Sequence, residues 1–136
     1  MLNLKKIQYT KLSSKAKESY NFHKLASILA DYGFSSNWLN VDFESADFIA
    51  VHFNGIDVLK IQLKGRLTIN RNYEKKDIYI AFPYQDNFYL IPHDKLIKII
   101  SSATTWLTSD SWKMKGQYSS QSLNKDLKER VLQFQL

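Results

Sequence analysis

Three polar residues, Asp47, Gln62 and Lys64, lie near the two ends of the mostly apolar stretch ADFIAVHFNGIDVLKIQLKG, residues 46–65. A carboxylate and an amide carbonyl are hard oxygen ligands of the kind that divalent cations prefer. A charged group beside an apolar core costs free energy unless something pairs with it. The three residues could therefore hold a cation between Asp47 and Gln62, or Lys64 and Asp47 could simply form an ion pair.

Either interpretation requires that the chain folds back on itself between the two ends of this stretch. Asn54-Gly55 separates two apolar runs and predicts a hairpin with a type I′ turn, in which both central residues have positive φ. With these two residues as the loop, Asp47 lies directly opposite Gln62, at a Cβ separation of about 4.5–5.5 Å. Lys64 is two residues further along and shares that face. The register thus predicts that all three converge at one end of a sheet.

The remaining hairpin residues are apolar on both faces, which is typical of central strands that are covered on both sides. One face holds Ile49, Val51, Ile56 and Val58 beside Asp47, and the other holds Phe48, Ala50, Leu59 and Ile61.

The elements around this hairpin follow from periodicity. An apolar stripe of Phe22, Leu25, Leu29 and Tyr32 predicts a helix over residues 14–32, which Gly33 ends. We expect strands in NWLNVDF, ADFIAVHF, IDVLKIQL, DIYIAF and NFYLIP, helices over residues 93–106 and 119–135, and a loop over 108–120. This order predicts one mixed α/β domain, residues 1–136, with a mainly antiparallel central sheet flanked by helices.

Composition limits the classes of function. The chain has 136 residues, no cysteine and no apolar run of the roughly 20 residues that a membrane span needs, so we expect no membrane association and a cytoplasmic location. Its 19 Lys and Arg against 13 Asp and Glu give a net charge of +6, which favours an anionic partner, nucleic acid above all.

An acid on one strand, a hairpin, and then Q-x-K on the next strand, after a helix that carries Glu18, resembles the PD-(D/E)XK or restriction endonuclease-like nucleases. ADFIA followed by KIQLKG is similar to the Mrr-type branch of restriction enzymes, in which Gln replaces the first acid of E-x-K. The resemblance covers residues 14–64.

The resemblance implies a metal-dependent nuclease that uses Mg²⁺ or Mn²⁺ to hydrolyse phosphodiester bonds of DNA or RNA. Asp47 would be the main metal-binding carboxylate, and Gln62 would be the second ligand. Lys64 would orient the attacking water or stabilise charge on the phosphate. Glu18 would supply an acid in the outer shell of the metal.

A basic stretch near this site is suited to a phosphate backbone, with DNA as the expected partner. Its members are Lys60, Arg66, Arg71, Lys75 and Lys76. Without a separate target-recognition domain, sequence specificity would need a partner, a homodimer or short loops. A non-catalytic nucleic-acid-binding or protein-interaction module on the same fold stays open as the alternative to an enzyme.

Overall fold

A computed structural model describes residues 1–136. The α-helices are α1 Ser14–Asp31, α2 His93–Ala103 and α3 Lys125–Val131. The β-strands are β1 Phe34–Phe43, β2 Ala46–His52, β3 Val58–Leu63, β4 Leu67–Asn70, β5 Ile78–Tyr84, β6 Asn87–Pro92 and β7 Gln117–Ser120. None of the helices combines the length and the apolar character that crossing a membrane would need.

The central sheet has five strands in the order β1-β2-β3-β5-β6. Only β3 and β5 pair in parallel, and every other pair in this sheet is antiparallel. Ile80 and Phe82 of β5 belong to the apolar cluster that contains α2 and α3, whereas Ala81 belongs to the cluster that contains α1. Because side chains alternate along a strand, helices cover both faces of the sheet at β5. The predicted mixed α/β class with a mainly antiparallel sheet is confirmed.

Helix α1 has the expected boundaries. The Ser13 hydroxyl accepts a hydrogen bond from the Ala16 amide and caps the N-terminus, and Gly33 ends the helix with a φ of +87°. Leu25 and Leu29 are fully buried on the sheet. Tyr32, which was predicted to complete the stripe, is instead 52% exposed, because the helix ends one residue before it.

The predicted register of the β2–β3 hairpin is confirmed, since Phe48 pairs with Ile61 and Val51 pairs with Val58. The predicted turn type is wrong.

Of the two loop residues, only Gly55 has a positive φ. The Asn54 side-chain carbonyl accepts hydrogen bonds from the Ile56 and Asp57 amides at 2.8 and 3.1 Å. This local bonding builds a wider loop, which the bond from the His52 amide to the Asp57 carbonyl closes.

Two-residue turns with positive φ at both central positions occur elsewhere. They join β1 to β2 at Glu44-Ser45 and β5 to β6 at Gln85-Asp86, without any glycine.

Coverage of the hairpin on both faces is only partly confirmed. Helix α1 buries Phe48, Ala50 and Ile61 completely. On the other face Val58 is 53% exposed and Ile56 is 80% exposed. Helix α2 packs against β4, β5 and β6, and α3 packs against α2, so this part of the sheet has no helix over it.

The C-terminal third departs most from expectation. The predicted loop over residues 108–120 contains a π-helical turn, Ser111–Lys115, which buries Trp112, and strand β7, which pairs with β4 in a second, two-stranded sheet. Helix α2 ends at Ala103, three residues early. Helix α3 is also shorter than predicted, because the Asn124 side chain caps it at the Leu127 amide.

Candidate functional site

The structure brings all four predicted site residues into one pocket. Asp47, Gln62 and Lys64 line it from the ends of β2 and β3, and Glu18 lines it from α1. The pocket has a volume of about 360 Å³ and opens to solvent. The hairpin register, continued one pair beyond Phe48 and Ile61, places residue 47 opposite residue 62, so the geometry follows from the strand pairing. We call this feature the central pocket.

Asp47 is held by the backbone of the neighbouring strand. One carboxylate oxygen, Oδ2, accepts a hydrogen bond from the Leu63 amide at 2.8 Å, while no group of the protein donates to Oδ1. Burial raises the pKa of Asp47 above its usual value, and the nearby Glu18 carboxylate raises it further. The Leu63 hydrogen bond and the Lys64 charge oppose this rise without cancelling it. The site therefore presents a carboxylate whose negative charge is incompletely compensated.

Lys64 does not neutralise Asp47 by direct contact. None of the three ion pairs in the chain involves either residue, so the alternative of a simple Lys64–Asp47 ion pair is not realised. The Lys64 amide donates to the Ala81 carbonyl at 2.9 Å, which fixes its backbone to β5. Its ammonium lies 5.6 Å from the centre of the Tyr73 ring, a cation–π contact that leaves its hydrogen-bond donors free.

Gln62 is similarly free. Its half-buried side-chain amide makes no hydrogen bond within the chain, although it lines the central pocket. The pocket thus has an unbonded carboxylate oxygen, an unbonded amide and an unpaired ammonium side by side. Because none of these groups has a partner within the chain, all three are available to a ligand in the pocket.

Three further polar residues, Tyr9, Lys17 and Asn21, line the pocket and are not predicted from the sequence. Asn21 is buried, and its amide donates to the Tyr9 hydroxyl at 2.9 Å. The Lys17 ammonium lies 5.5 Å from the centre of the Tyr9 ring. One signal could have found Asn21: it lies three residues after Glu18, and so on the same face of α1.

The donor set of the central pocket suits a hard cation. Asp47, Glu18 and the Gln62 carbonyl offer only oxygen ligands, although no group of three or more His, Cys, Asp or Glu side chains in the chain is arranged to hold a metal ion. Mg²⁺ commonly binds through one or two carboxylates and keeps several of its waters. These few oxygen ligands would suit Mg²⁺ or Mn²⁺ that keeps several of its waters, and they are too few to coordinate a metal ion with protein ligands alone.

The predicted basic stretch is divided by its contacts. Lys60 is only 19% exposed, forms an ion pair with Glu44 and donates to the Lys76 carbonyl. The Arg71 guanidinium donates to the Trp112 carbonyl at 2.8 Å and stacks on the Trp112 ring. These two side chains have structural partners.

The other three, Arg66, Lys75 and Lys76, are exposed and form no ion pair, although the Lys76 ammonium donates to the Ser45 hydroxyl at 3.3 Å. They stay available to a phosphate backbone.

His93, the other conspicuous titratable residue, is structural. It is completely buried, and its Nε2 accepts a hydrogen bond from the Asn70 amide at 3.2 Å. Burial lowers its pKa, although Asp94 opposes this effect. The imidazole is therefore held neutral as an acceptor for the backbone, away from the central pocket.

No protein-family model and no curated protein matches this sequence. Among solved structures, the fold is similar to that of a Holliday junction resolvase from Archaeoglobus fulgidus, an archaeal hyperthermophile, with a TM-score of 0.45 and 17% sequence identity. The similarity covers 57% of this chain and 74% of the resolvase chain.

Proposed function

We propose that this protein is a metal-dependent nuclease that hydrolyses phosphodiester bonds of DNA or RNA in the central pocket. The supporting observation is the set of groups without partners that meet there: Asp47 Oδ1, the Gln62 amide and the Lys64 ammonium. A carboxylate beside an unpaired ammonium in a half-buried pocket suits a substrate that carries negative charge next to a cation.

Each residue has a distinct role in this proposal. Asp47 and the Gln62 carbonyl hold Mg²⁺ or Mn²⁺, with Glu18 as an acid in its outer shell. Lys64 places a fixed positive charge where negative charge develops on the phosphate, or orients the attacking water. When bound, the metal neutralises the phosphate and lowers the pKa of a coordinated water.

The resemblance to PD-(D/E)XK nucleases of the Mrr type supports the same assignment, since its motif residues are those that meet in the pocket. We extend the proposal to DNA as the partner, contacted by Arg66, Lys75 and Lys76, to a cytoplasmic location, and to a homodimer as a source of specificity.

The test is cleavage of single- and double-stranded DNA and RNA by the purified protein with Mg²⁺ or Mn²⁺. Lys64→Ala should lower the cleavage rate by about 100-fold or more, because it removes a charge placed at the reacting group. Its affinity for DNA should stay within a few-fold, since it loses one phosphate contact among several. Lys98→Ala is the matched control: it removes one exposed lysine outside the central pocket and should leave the rate unchanged.

Metal binding is measured separately by calorimetry with Mn²⁺. Asp47→Asn should abolish it, and Gln62→Glu should retain or increase it, because a carboxylate replaces a neutral ligand at the same reach. If neither wild type nor Gln62→Glu cleaves any of the four substrates, the enzyme is rejected. DNA binding that weakens steeply with salt would then favour the non-catalytic binding module.

A further inference from the structure

A second pocket adjoins the central pocket along α1. It is lined by Lys15, Glu18, Ser19, Phe22, His23 and Trp38, and we call it the aromatic pocket. Its volume is about 300 Å³. Glu18 lines both pockets, and Phe22 lies four residues, or about one helical turn of 5.4 Å, further along the same face of α1.

The aromatic pocket has a rigid wall. Trp38 on β1 pairs in register with Phe48 on β2, and their rings are nearly parallel, with centroids 6.5 Å apart and an interplanar angle of 17°. The rings of Phe22 and Trp38 pack edge to face, with centroids 5.2 Å apart and an interplanar angle of 73°. Phe22 also packs on Phe48 at 5.0 Å. The two contacts of Trp38, with Phe22 and with Phe48, therefore hold the indole in one orientation.

Part of the Trp38 indole is accessible at this pocket. Phe48, whose ring lies beside the indole, is completely buried. Trp38 is nevertheless 37% exposed and lines the aromatic pocket. His23, which is exposed and makes no side-chain hydrogen bond, provides a second ring at this pocket, and Lys15 adds a positive charge.

We propose that the aromatic pocket binds an unpaired nucleobase of the nucleic acid whose phosphate occupies the central pocket. An immobilised aromatic face is the platform on which unstacked bases bind, and such stacking tolerates any base. The two pockets share Glu18, and Phe22 of the aromatic pocket lies about one helical turn beyond it, so a phosphate in one pocket and the base of the same nucleotide in the other are within reach of each other. The substrate class is therefore a strand with an unpaired nucleotide beside the phosphate, rather than a fully paired duplex. This inference rests on the proposed function for the phosphate but is tested by binding alone.

The probes are two single-stranded DNA 10-mers with the same number of phosphates, one of thymidines and one entirely abasic, measured without divalent metal so that no cleavage occurs. Wild type should bind the thymidine strand about tenfold more tightly, because only that strand can stack. Trp38→Leu keeps apolar packing against Phe22 and Phe48 but lacks the ring, so this preference should fall below twofold. Phe53→Leu, at an aromatic residue 79% exposed on the hairpin loop, is the matched control and should keep the preference.

Circular dichroism and thermal unfolding of Trp38→Leu verify that the fold survives. If Trp38→Leu does not fold, His23→Ala serves instead, since this exposed side chain has no hydrogen bond to lose and should also reduce the preference. Equal affinity of wild type for the two strands, or no binding to either, overturns the inference. So does an undiminished preference in the folded variants. A base preference without nuclease activity would reject the enzyme while retaining the aromatic pocket.

Discussion

The hydrogen bond from the Leu63 amide to Asp47 lets us predict how substitutions of Asp47 change the stability of the protein. Removing the carboxylate relieves a half-buried charge, so Asp47→Asn should be at least as stable as wild type at pH 7 without metal. The Asn side-chain carbonyl can still accept the hydrogen bond from the Leu63 amide. Asp47→Ala loses the same charge but also loses the acceptor. Comparing the two variants therefore isolates the hydrogen bond.

The expected difference follows from the surroundings of the Leu63 amide. Leu63 is 6% exposed, so an unpaired amide there has little access to water. Leaving a buried donor without a partner costs about 1–3 kcal/mol. For a domain of this size that is about 4–12 °C in Tm. Asp47→Ala should unfold earlier than Asp47→Asn by that amount.

Thermal and urea unfolding, followed by circular dichroism with a metal chelator present, give the measurement. Asp47→Leu controls for the lost side-chain volume, because it fills a similar space without an acceptor and should resemble Asp47→Ala. If the Ala and Asn variants unfold within about 1 °C of each other, Asp47 is not fastened to β3 as described, and the geometry of the central pocket is wrong.

Two further predictions concern the scaffold. The pKa of His93 is lowered in the folded protein, so below about pH 6.5 the unfolded chain binds a proton that the folded chain does not. Stability should therefore fall as pH decreases from 7 toward the folded pKa, by up to about 1.4 kcal/mol per pH unit. His93→Gln should flatten this slope in unfolding measurements. Gly33 has a φ of +87°, and a Cβ added to it would lie 2.6 Å from His52 Nε2. Gly33→Ala should therefore lower the stability by about 1–2 kcal/mol for the left-handed backbone alone, with a further loss from the clash with His52. Adding His52→Ala should restore only the stability lost to that clash. An unchanged Tm for Gly33→Ala would contradict the second prediction.

Much of the site was predictable because strand pairing and helix periodicity are read directly from apolar spacing. Asp47, Gln62 and Lys64 were placed together by register, and the register was correct although the turn was not. The alternating apolar residues fixed the pairing, whereas the turn depended on hydrogen bonds of the Asn54 side chain, which leave no periodic signal.

The C-terminal third was harder for a related reason. Strands β4 and β7 have four residues each and are far apart in the sequence, so neither carries a recognisable alternation. A π-helical turn buries Trp112. The sequence gives no sign of this turn, because the residues around Trp112 are mostly polar and show no apolar periodicity. Tyr9 was missed because it reaches the central pocket from a short 3-10 turn that precedes α1.

The parallel pairing of β3 with β5 has a consequence for exchange of the Lys64 amide with solvent. This pairing joins a three-stranded part of the sheet, which carries Asp47, to a two-stranded part. The Lys64 amide bonds across this pairing to Ala81, so its hydrogen exchanges only when that bond opens. Native-state hydrogen exchange at this one amide therefore reports how often the Lys64 backbone is detached from β5, and the measurement needs no substrate.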